Sequence, residues 1–216
     1  MAGELVLITG VTGHLGFRAL RYALEHGYRV RAAVRSETKA KSVLSNSALV
    51  ELKANPELSF AVVPDITAPD AYCEAIKDVS YVIHIASPLA MSIEGDDYEA
   101  GFIQPAVQGT LRILEAAKKS GTVKRVVITS SSISITPWDV LLAGHYDGVI
   151  IAEDRVPTPS GPYSMGLHAY WASKVTALNR AEAWMKEHSP SFDLIHIHPS
   201  YIEGRKDAAT TVEDLR

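Results

Sequence analysis

The sequence predicts an α/β fold: a doubly wound parallel sheet of six or more strands with helices on both faces. Three observations predict it. Six short apolar runs are typical of buried strands, longer segments of helical periodicity separate most of them, and a glycine-rich turn follows the first run directly. Strands that alternate with helices form parallel sheets, because right-handed crossovers join each strand to the next.

The strands are predicted from continuous or alternating apolar residues, as expected where both faces of a sheet are covered. They are LVLIT (5–9), YRVRAAVR (28–35), LSFAVVP (58–64), VSYVIHIA (79–86), VKRVVITS (123–130) and FDLIHIHP (192–199).

Helices are predicted between these strands. The segments are a stretch ending near His26, a polar segment at 36–52, a short helix at 69–77, a long helix at 97–119 and a strong helix at 169–188. Pro105 lies near the start of the long helix or kinks it. Residues 136–168 hold four Pro and four Gly and are interpreted as a loop.

Composition excludes several function classes. The chain has 216 residues, with 21 Lys and Arg against 25 Asp and Glu, so the net charge is −4. No basic cluster indicates nucleic-acid binding, and no apolar stretch has the length of a membrane span. The one cysteine, Cys73, excludes an internal disulfide. No signal peptide is recognised, so a cytoplasmic location is expected. His196 and His198 share a strand face without accompanying acids, and no metal site is predicted.

The glycine turn reads TGVTGHLG, with Gly10, Gly13 and Gly16 at G-x-x-G-x-x-G spacing. One glycine turns the chain off the strand, one lets the backbone approach a pyrophosphate, and one allows close helix–strand packing. The helix N-terminus then offers free N–H groups to phosphates. A strand before the turn and a helix after it are the context that a dinucleotide site requires.

TGVTGHLG resembles the cofactor turn of the extended short-chain dehydrogenase/reductases, the NAD-dependent epimerase/dehydratase family. HIASP (84–88), QPAVQGTLRILEAA (104–117), RVVITSSS (125–132), YWASK (170–174) and HPSYIEG (198–204) resemble further segments of that family, in its order. The similarity is greatest to the aldehyde and ketone reductases of the dihydroflavonol reductase and methylglyoxal reductase subgroup. It implies a Rossmann fold and cofactor contacts from Gly10, Thr12, Gly13, His14, Leu15, Gly16, Asp65, Ile66, Ala86, Ser87, Pro88, Thr129, Tyr170, Lys174 and Pro199.

The end of the second strand indicates which nicotinamide cofactor is used. An NAD site places a carboxylate there for the ribose, whereas an NADP site places a cation for the 2′-phosphate. Here Arg35 occupies the strand end and Lys39 follows on the next helix, so NADP(H) is predicted. The alternative is that Glu37 binds the ribose. Asp65 contacts adenine, as the resemblance implies, or simply caps the strand end.

Tyr170 and Lys174 are four residues apart on one helix face, and the ammonium is expected to lower the pKa of the phenol. Tyr170 would then donate a proton to a reduced carbonyl, and a serine would orient the carbonyl oxygen. The family pattern selects Ser131, with Ser130 as the alternative. Trp138, Tyr146, Tyr163 and Met165 either line a substrate pocket or pack the loop down.

These residues predict an NADPH-dependent reductase that converts an aldehyde or ketone to an alcohol, with a small-molecule carbonyl substrate. Residues 1–216 are expected to form the NAD(P)-binding domain, with the family's small C-terminal substrate lobe absent or reduced and a homodimer as one possible assembly. The alternatives are a cofactor-binding regulator or truncated enzyme without turnover, and a nucleotide-sugar epimerase or dehydratase.

Overall fold

The computed structural model describes residues 3–50, 57–87 and 97–209. Six parallel strands form one sheet in the order β3-β2-β1-β4-β5-β6. They are β1 (Leu5–Thr9), β2 (Arg29–Val34), β3 (Leu58–Val62), β4 (Tyr81–His84), β5 (Arg125–Thr129) and β6 (Asp193–Ile197). The strand order reverses between β1 and β4, so a crevice opens at their carboxyl ends. The predicted fold class is confirmed.

The helices are α1 (His14–Glu25), α2 (Glu37–Leu44), α3 (Ser47–Val50), α4 (Gln104–Ser120), α5 (Trp138–Ala143) and α6 (Gly166–His188), with a π-helical turn at Glu99–Ile103 and a 3₁₀ turn at Ser132–Ile135. Alternate residues of β1 enter different cores. Val6 and Ile8 pack with α1, whereas Leu5 and Leu7 pack on the side of α4 and α6. Pro105 lies in the first turn of α4, which continues directly from the π-helical turn at Glu99–Ile103.

The predicted helix at 69–77 is wrong, because this segment is a series of hydrogen-bonded turns. Asp70 and Asp78 have φ values of 54° and 62°, which lie outside the right-handed helical region. Arg31 of β2 donates to the carbonyl groups of Ala75 and Lys77, at 3.0 and 2.6 Å. The turns are therefore held by tertiary contacts that local periodicity does not reveal.

Two further segments differ from prediction. The helix predicted at 36–52 is divided into α2 and α3 at Asn46, whose side-chain oxygen accepts a hydrogen bond from the N–H of Ala48; residues 51–52 lie outside the described residues. The loop predicted at 136–168 contains α5, and α6 begins at Gly166. Helices of four to eight residues extend over too few turns for a clear periodicity in the sequence.

The sheet is covered unequally on the face that carries α1. Over β4 and β5 this face borders an apolar hollow of about 520 Å³, lined by Tyr81, Ile83 and Val127 together with residues of α1. On β6, Ile195 and Ile197 remain 40% and 52% exposed. Within the described residues, no helix combines the length and the apolar character needed to cross a membrane.

Candidate active site

Thr9, at the end of β1, fixes the floor of the crevice. Its hydroxyl oxygen accepts hydrogen bonds from the N–H groups of Ile85 and Ala86, at 3.1 and 3.0 Å. Both lone pairs are then in use, so the hydroxyl proton is donated to Nδ1 of His84, 3.0 Å away. The neutral His84 ring therefore carries its proton on Nε2. Burial and the nearby Lys174 charge lower the pKa of His84 to about 4, which keeps the ring neutral.

The three glycines of the turn serve different purposes. Gly10 has φ +76°, and a Cβ there would lie 2.8 Å from the backbone nitrogen of Ala86. A Cβ on Gly16 would lie 2.0 Å from the carbonyl oxygen of Gly10. Gly13 differs, because its φ is −93° and a Cβ would meet one atom, at 3.4 Å. The fold itself requires Gly10 and Gly16, whereas Gly13 is required only if a ligand approaches the backbone.

The N-terminus of α1 opens into a cleft of about 680 Å³. Gly13 at the N-cap position supplies no side-chain hydrogen bond, and the first turn contains no acid. Its N–H groups and positive dipole end therefore favour an anion. Twelve of the predicted cofactor residues line the cleft: Gly10, Thr12, Gly13, His14, Leu15, Gly16, Arg35, Lys39, Asp65, Ile66, Ala86 and Ser87.

Two cations lie at the far end of this cleft. Arg35 and Lys39 are both exposed, and neither forms an ion pair within the described ranges 3–50, 57–87 and 97–209. Ser36, between them, caps α2 by accepting a hydrogen bond from the backbone N–H of Lys39 at 3.3 Å. The cap places Lys39 in the first turn of α2, and both cations line the cleft. The cleft thus combines an uncapped helix N-terminus with two positive side chains.

Asp65 forms part of the wall after β3. Its Oδ1 atom accepts hydrogen bonds from the N–H and the hydroxyl of Thr67, at 2.8 and 2.7 Å. These bonds hold the pKa of the carboxyl group below its usual range. Oδ1 therefore acts as the cap at the strand end, which was the alternative interpretation of Asp65. The second carboxylate oxygen accepts no such bond among the described residues.

The two candidate serines after β5, Ser130 and Ser131, differ in their hydrogen bonds. Ser134 donates its hydroxyl proton to the carbonyl oxygen of Ser131 at 2.6 Å. The 3.1 Å bond between the Ser130 and Ser134 hydroxyls must then use the Ser130 proton. Ser131 instead caps the 3₁₀ turn, accepting from the N–H of Ile133 at 3.4 Å. Its own proton is not used by any hydrogen bond among the described residues.

Tyr170 and Lys174 lie one turn apart on α6. The Lys174 Nζ atom is 5.5 Å from the centre of the Tyr170 ring and donates to Ser87 Oγ at 3.0 Å. Burial lowers the pKa of Lys174 to about 8. Burial also raises the pKa of Tyr170, so the expected lowering by Lys174 is wrong for this structure. The ammonium bonds Ser87 rather than the phenol oxygen, and desolvation of the phenol dominates.

The chain matches the family model "NAD dependent epimerase/dehydratase family" over residues 6–214. It belongs to this family. It is 44% identical to ketoreductase CTB6 from Cercospora nicotianae over 218 residues, covering 100% of this chain and 61% of that protein. It is also 33% identical to aldehyde reductase 2 from Sporidiobolus salmonicolor, covering 94% of this chain and 58% of that protein.

A solved structure of a reductase is also similar to this chain. The yeast methylglyoxal/isovaleraldehyde reductase Gre2, complexed with NADPH, superposes with a TM-score of 0.84 at 28% identity. The match covers 99% of this chain and 61% of Gre2. The chain thus spans about three fifths of the length of the relatives it matches.

The remaining predicted residues of this epimerase/dehydratase chain lie elsewhere. Thr129 and Lys174 line a smaller cavity behind the cleft, and Ser87 lines both spaces. The carbonyl oxygen of Pro199 accepts a hydrogen bond from the N–H of Ser132 at 2.9 Å, which joins the segment after β6 to the serine turn. Pro88 lies outside the described residues. Within the described ranges, no group of three or more His, Cys, Asp or Glu side chains is arranged to hold a metal ion.

The aromatic residues of the loop divide between packing and exposure. The Trp138 ring stacks on His168 at 4.4 Å, and Tyr163 meets His168 edge-on at 5.6 Å. These two rings therefore pack the loop onto the start of α6. Tyr146 and Met165 remain 52% and 47% exposed.

Sequence reasoning missed two residues that position the site. Thr9 and His84 are isolated polar residues at the ends of otherwise apolar strands, and both are buried. That contrast was the available signal, because a buried polar side chain requires a hydrogen-bond partner.

Proposed function

We propose that this chain binds NADP(H) and reduces an aldehyde or ketone to the corresponding alcohol. One observation carries the proposal: the anion-favouring cleft ends at Ser87, which is bonded directly to Lys174 beside Tyr170. The cofactor cleft and the candidate proton donor are therefore adjacent. The ketoreductases and aldehyde reductase to which the chain is similar support the same class of reaction.

The residues of the cleft fit a dinucleotide phosphate. The N–H groups at the start of α1 would bind the pyrophosphate, and Gly13 leaves room for it. Arg35 and Lys39 would bind a 2′-phosphate, since a guanidinium is suited to that group and no described residue already neutralises either cation. Asp65 would use its second carboxylate oxygen toward the adenine.

Each group of the catalytic cluster has a separate task. The hydride for the carbonyl carbon would come from NADPH held in the cleft. As negative charge develops on the carbonyl oxygen, Tyr170 transfers its phenolic proton to that oxygen and the alcohol is complete. Ser131 donates a hydrogen bond to the same oxygen, which orients it before transfer. The Lys174 ammonium, 5.5 Å from the centre of the Tyr170 ring, would offset part of the desolvation cost of the resulting phenolate.

The raised pKa of Tyr170 agrees with this order of events. A buried phenol is fully protonated at neutral pH and so begins the reaction as the proton donor. Lys174 has a pKa of about 8, so it is charged at neutral pH and loses the charge in alkaline solution. Carbonyl reduction is therefore expected to decline above about pH 8.

We also propose that residues 1–216 act as a cofactor-binding domain. The substrate would be a small carbonyl compound. An epimerase or dehydratase is the less favoured function, because Arg35 and Lys39 favour a cofactor with a 2′-phosphate.

The test is a paired titration of the purified protein with NADPH and NADH, followed by NADPH oxidation with a panel of aldehydes and ketones. We expect tighter binding of NADPH and turnover that Tyr170→Phe reduces by about 10²–10⁴-fold without weakening binding. Tyr22→Phe, at an exposed tyrosine on α1, is the matched control. Binding without turnover on any carbonyl would instead indicate a regulator or an incomplete enzyme.

A further inference from the structure

A polar row crosses the sheet beneath Lys174. The strand register pairs Thr9 with His84, His84 with Ile128, and Ile128 with His196. These residues share the face on which α4 and α6 pack, since Ile128 belongs to the core on that side. Two imidazoles, from β4 and β6, therefore lie on either side of an apolar residue beneath the catalytic helix.

The ring of His196 is not satisfied by protein groups. Both ring nitrogens are buried, and neither has a hydrogen-bond partner among the described residues. Burial lowers the pKa of His196 to about 4, so the ring is neutral with one donor and one acceptor nitrogen. A buried polar ring of this kind requires a partner.

A small cavity lies where these groups meet. Its volume is about 30 Å³, and its lining includes His84, His196, Lys174, Thr110 and Thr129. About 10–15 Å³ of such volume suffices for one water molecule, provided that two to four polar groups surround it. The cavity satisfies both conditions.

We propose that an ordered water molecule occupies this cavity and that His84 and His196 hold it against the Lys174 ammonium. This inference deepens the proposed function and rests on the role given there to Lys174. His196, which no earlier step uses, becomes a positioning residue that acts on Lys174 through the water.

The hydrogen bonds of this water can be counted. The Lys174 ammonium has three protons, of which one is given to Ser87, and His84 presents its Nε2 proton. The water accepts one bond from each of these groups. It donates one proton to the acceptor nitrogen of His196 and the other to a threonine hydroxyl oxygen. All four of its bonding positions are then used, and the buried ammonium gains a partner that stabilises its charge.

The titratable groups around Lys174 come from three elements. Tyr170 faces it from α6, His84 from β4 and His196 from β6. His196 is itself influenced by Glu182, Arg155 and His198. The first direct test is a crystal structure of the protein at a resolution that shows ordered water. We expect a water within 2.7–3.2 Å of Lys174 Nζ and of a His196 nitrogen. A cavity filled by a side chain, or a His196 ring bonded to a protein group, would overturn the proposal.

A second test measures the pKa of Lys174 without using turnover. The protein is treated with acetic anhydride over a range of pH, and acetylation of Lys174 is followed by peptide mass spectrometry. His196→Leu removes the acceptor for the water, so the pKa of Lys174 should fall by about one unit. His196→Asn, which keeps a donor and an acceptor, should restore most of the value.

The control variant is His188→Leu, at the last turn of α6, which should leave the Lys174 pKa unchanged. An unchanged pKa in both His196→Leu and His196→Asn would overturn the proposal. If His196→Leu does not fold, the crystal structure and the Asn variant decide the question. Neither measurement needs cofactor or substrate, so failure of the reductase function would be seen separately, as a lack of NADPH binding or turnover.

Discussion

The two halves of the crevice are built in different ways. The half beside β1, β2 and β3 is a cleft that favours anions mainly through its backbone, at an uncapped helix N-terminus after a turn that packs through Gly10 and Gly16. Arg35 and Lys39 add two positive side chains to its lining. The half beside β4, β5 and β6 is built from side chains. Ser131 and Lys174 come from segments far apart in the chain, and Ser87 and His84 line the cavity around Lys174.

This difference determines how each half should respond to substitution. A backbone site tolerates changes at its surface but fails when a Cβ enters the turn. A side-chain site keeps its fold when one group is removed and loses function instead. Stability and activity should therefore separate between the two halves, and four substitutions test that separation.

The largest effect is expected in the glycine turn. Gly16→Ala should lower the free energy of unfolding by about 3 kcal/mol or more, because its Cβ would lie 2.0 Å from the carbonyl oxygen of Gly10. Gly13→Ala is the matched control and should change the unfolding free energy by less than about 1 kcal/mol. Urea unfolding without cofactor measures both values.

Gly13→Ala should nevertheless weaken NADPH binding, since the added methyl group faces the proposed phosphate site. Equal stability losses for the two variants would contradict the division of the turn into structural and ligand-facing glycines.

The catalytic half should lose activity rather than stability. Ser131→Ala should reduce kcat by about 100-fold, equivalent to about 2.7 kcal/mol, because one hydrogen bond to the developing oxyanion is lost. Ser130→Ala should have a much smaller effect, since its proton is used by Ser134. Steady-state kinetics with NADPH and a turned-over carbonyl distinguish them, and a reversed order would assign the role to Ser130.

The charged end of the cleft should control cofactor choice. Arg35→Asp should weaken NADPH binding by about 30-fold and leave NADH binding nearly unchanged, because charge-assisted hydrogen bonds to the 2′-phosphate are lost. Arg29→Asp, at the other end of β2 and 3.3 Å from Glu57, is the control. Fluorescence titration with both cofactors measures the ratio. A similar loss for NADPH and NADH would remove Arg35 from the phosphate site.

The smallest effect concerns the stability cost of Lys174. Its pKa is lowered from 10.5 to about 8, so the folded state disfavours the charged form. Below about pH 8 both folded and unfolded chains carry the proton, and the full penalty applies. Between about pH 8 and 10.5 the folded chain loses the proton first, so native stability rises with pH. Lys174→Met should therefore stabilise the protein by about 2 kcal/mol at pH 7.

This advantage should fade as the pH approaches 10.5, and urea unfolding at pH 7 and pH 10 compares the two proteins. A stability difference that does not depend on pH would show that Lys174 is solvated as an ordinary surface lysine.

The sequence alone determined the fold class, the six strands and most of the residues that line the cleft. Strands β1 to β6 were predicted within a few residues, because apolar runs and turn residues are local signals. The glycine turn with Arg35 and Lys39 could also be predicted, since contiguous backbone and neighbouring side chains form that wall. The match to the epimerase/dehydratase family agrees with these predictions.

Only the tertiary structure decided how the polar groups are paired. The contacts that a Cβ would make distinguish Gly10 and Gly16 from Gly13. The Ser130 hydroxyl donates to Ser134 within the serine turn, and Lys174 donates to Ser87 rather than to the phenol of Tyr170. The tertiary structure also replaced the predicted helix at 69–77 with turns held by Arg31. Hydrogen bonds and desolvation depend on partners distant in the chain, so no local pattern of residues specifies them.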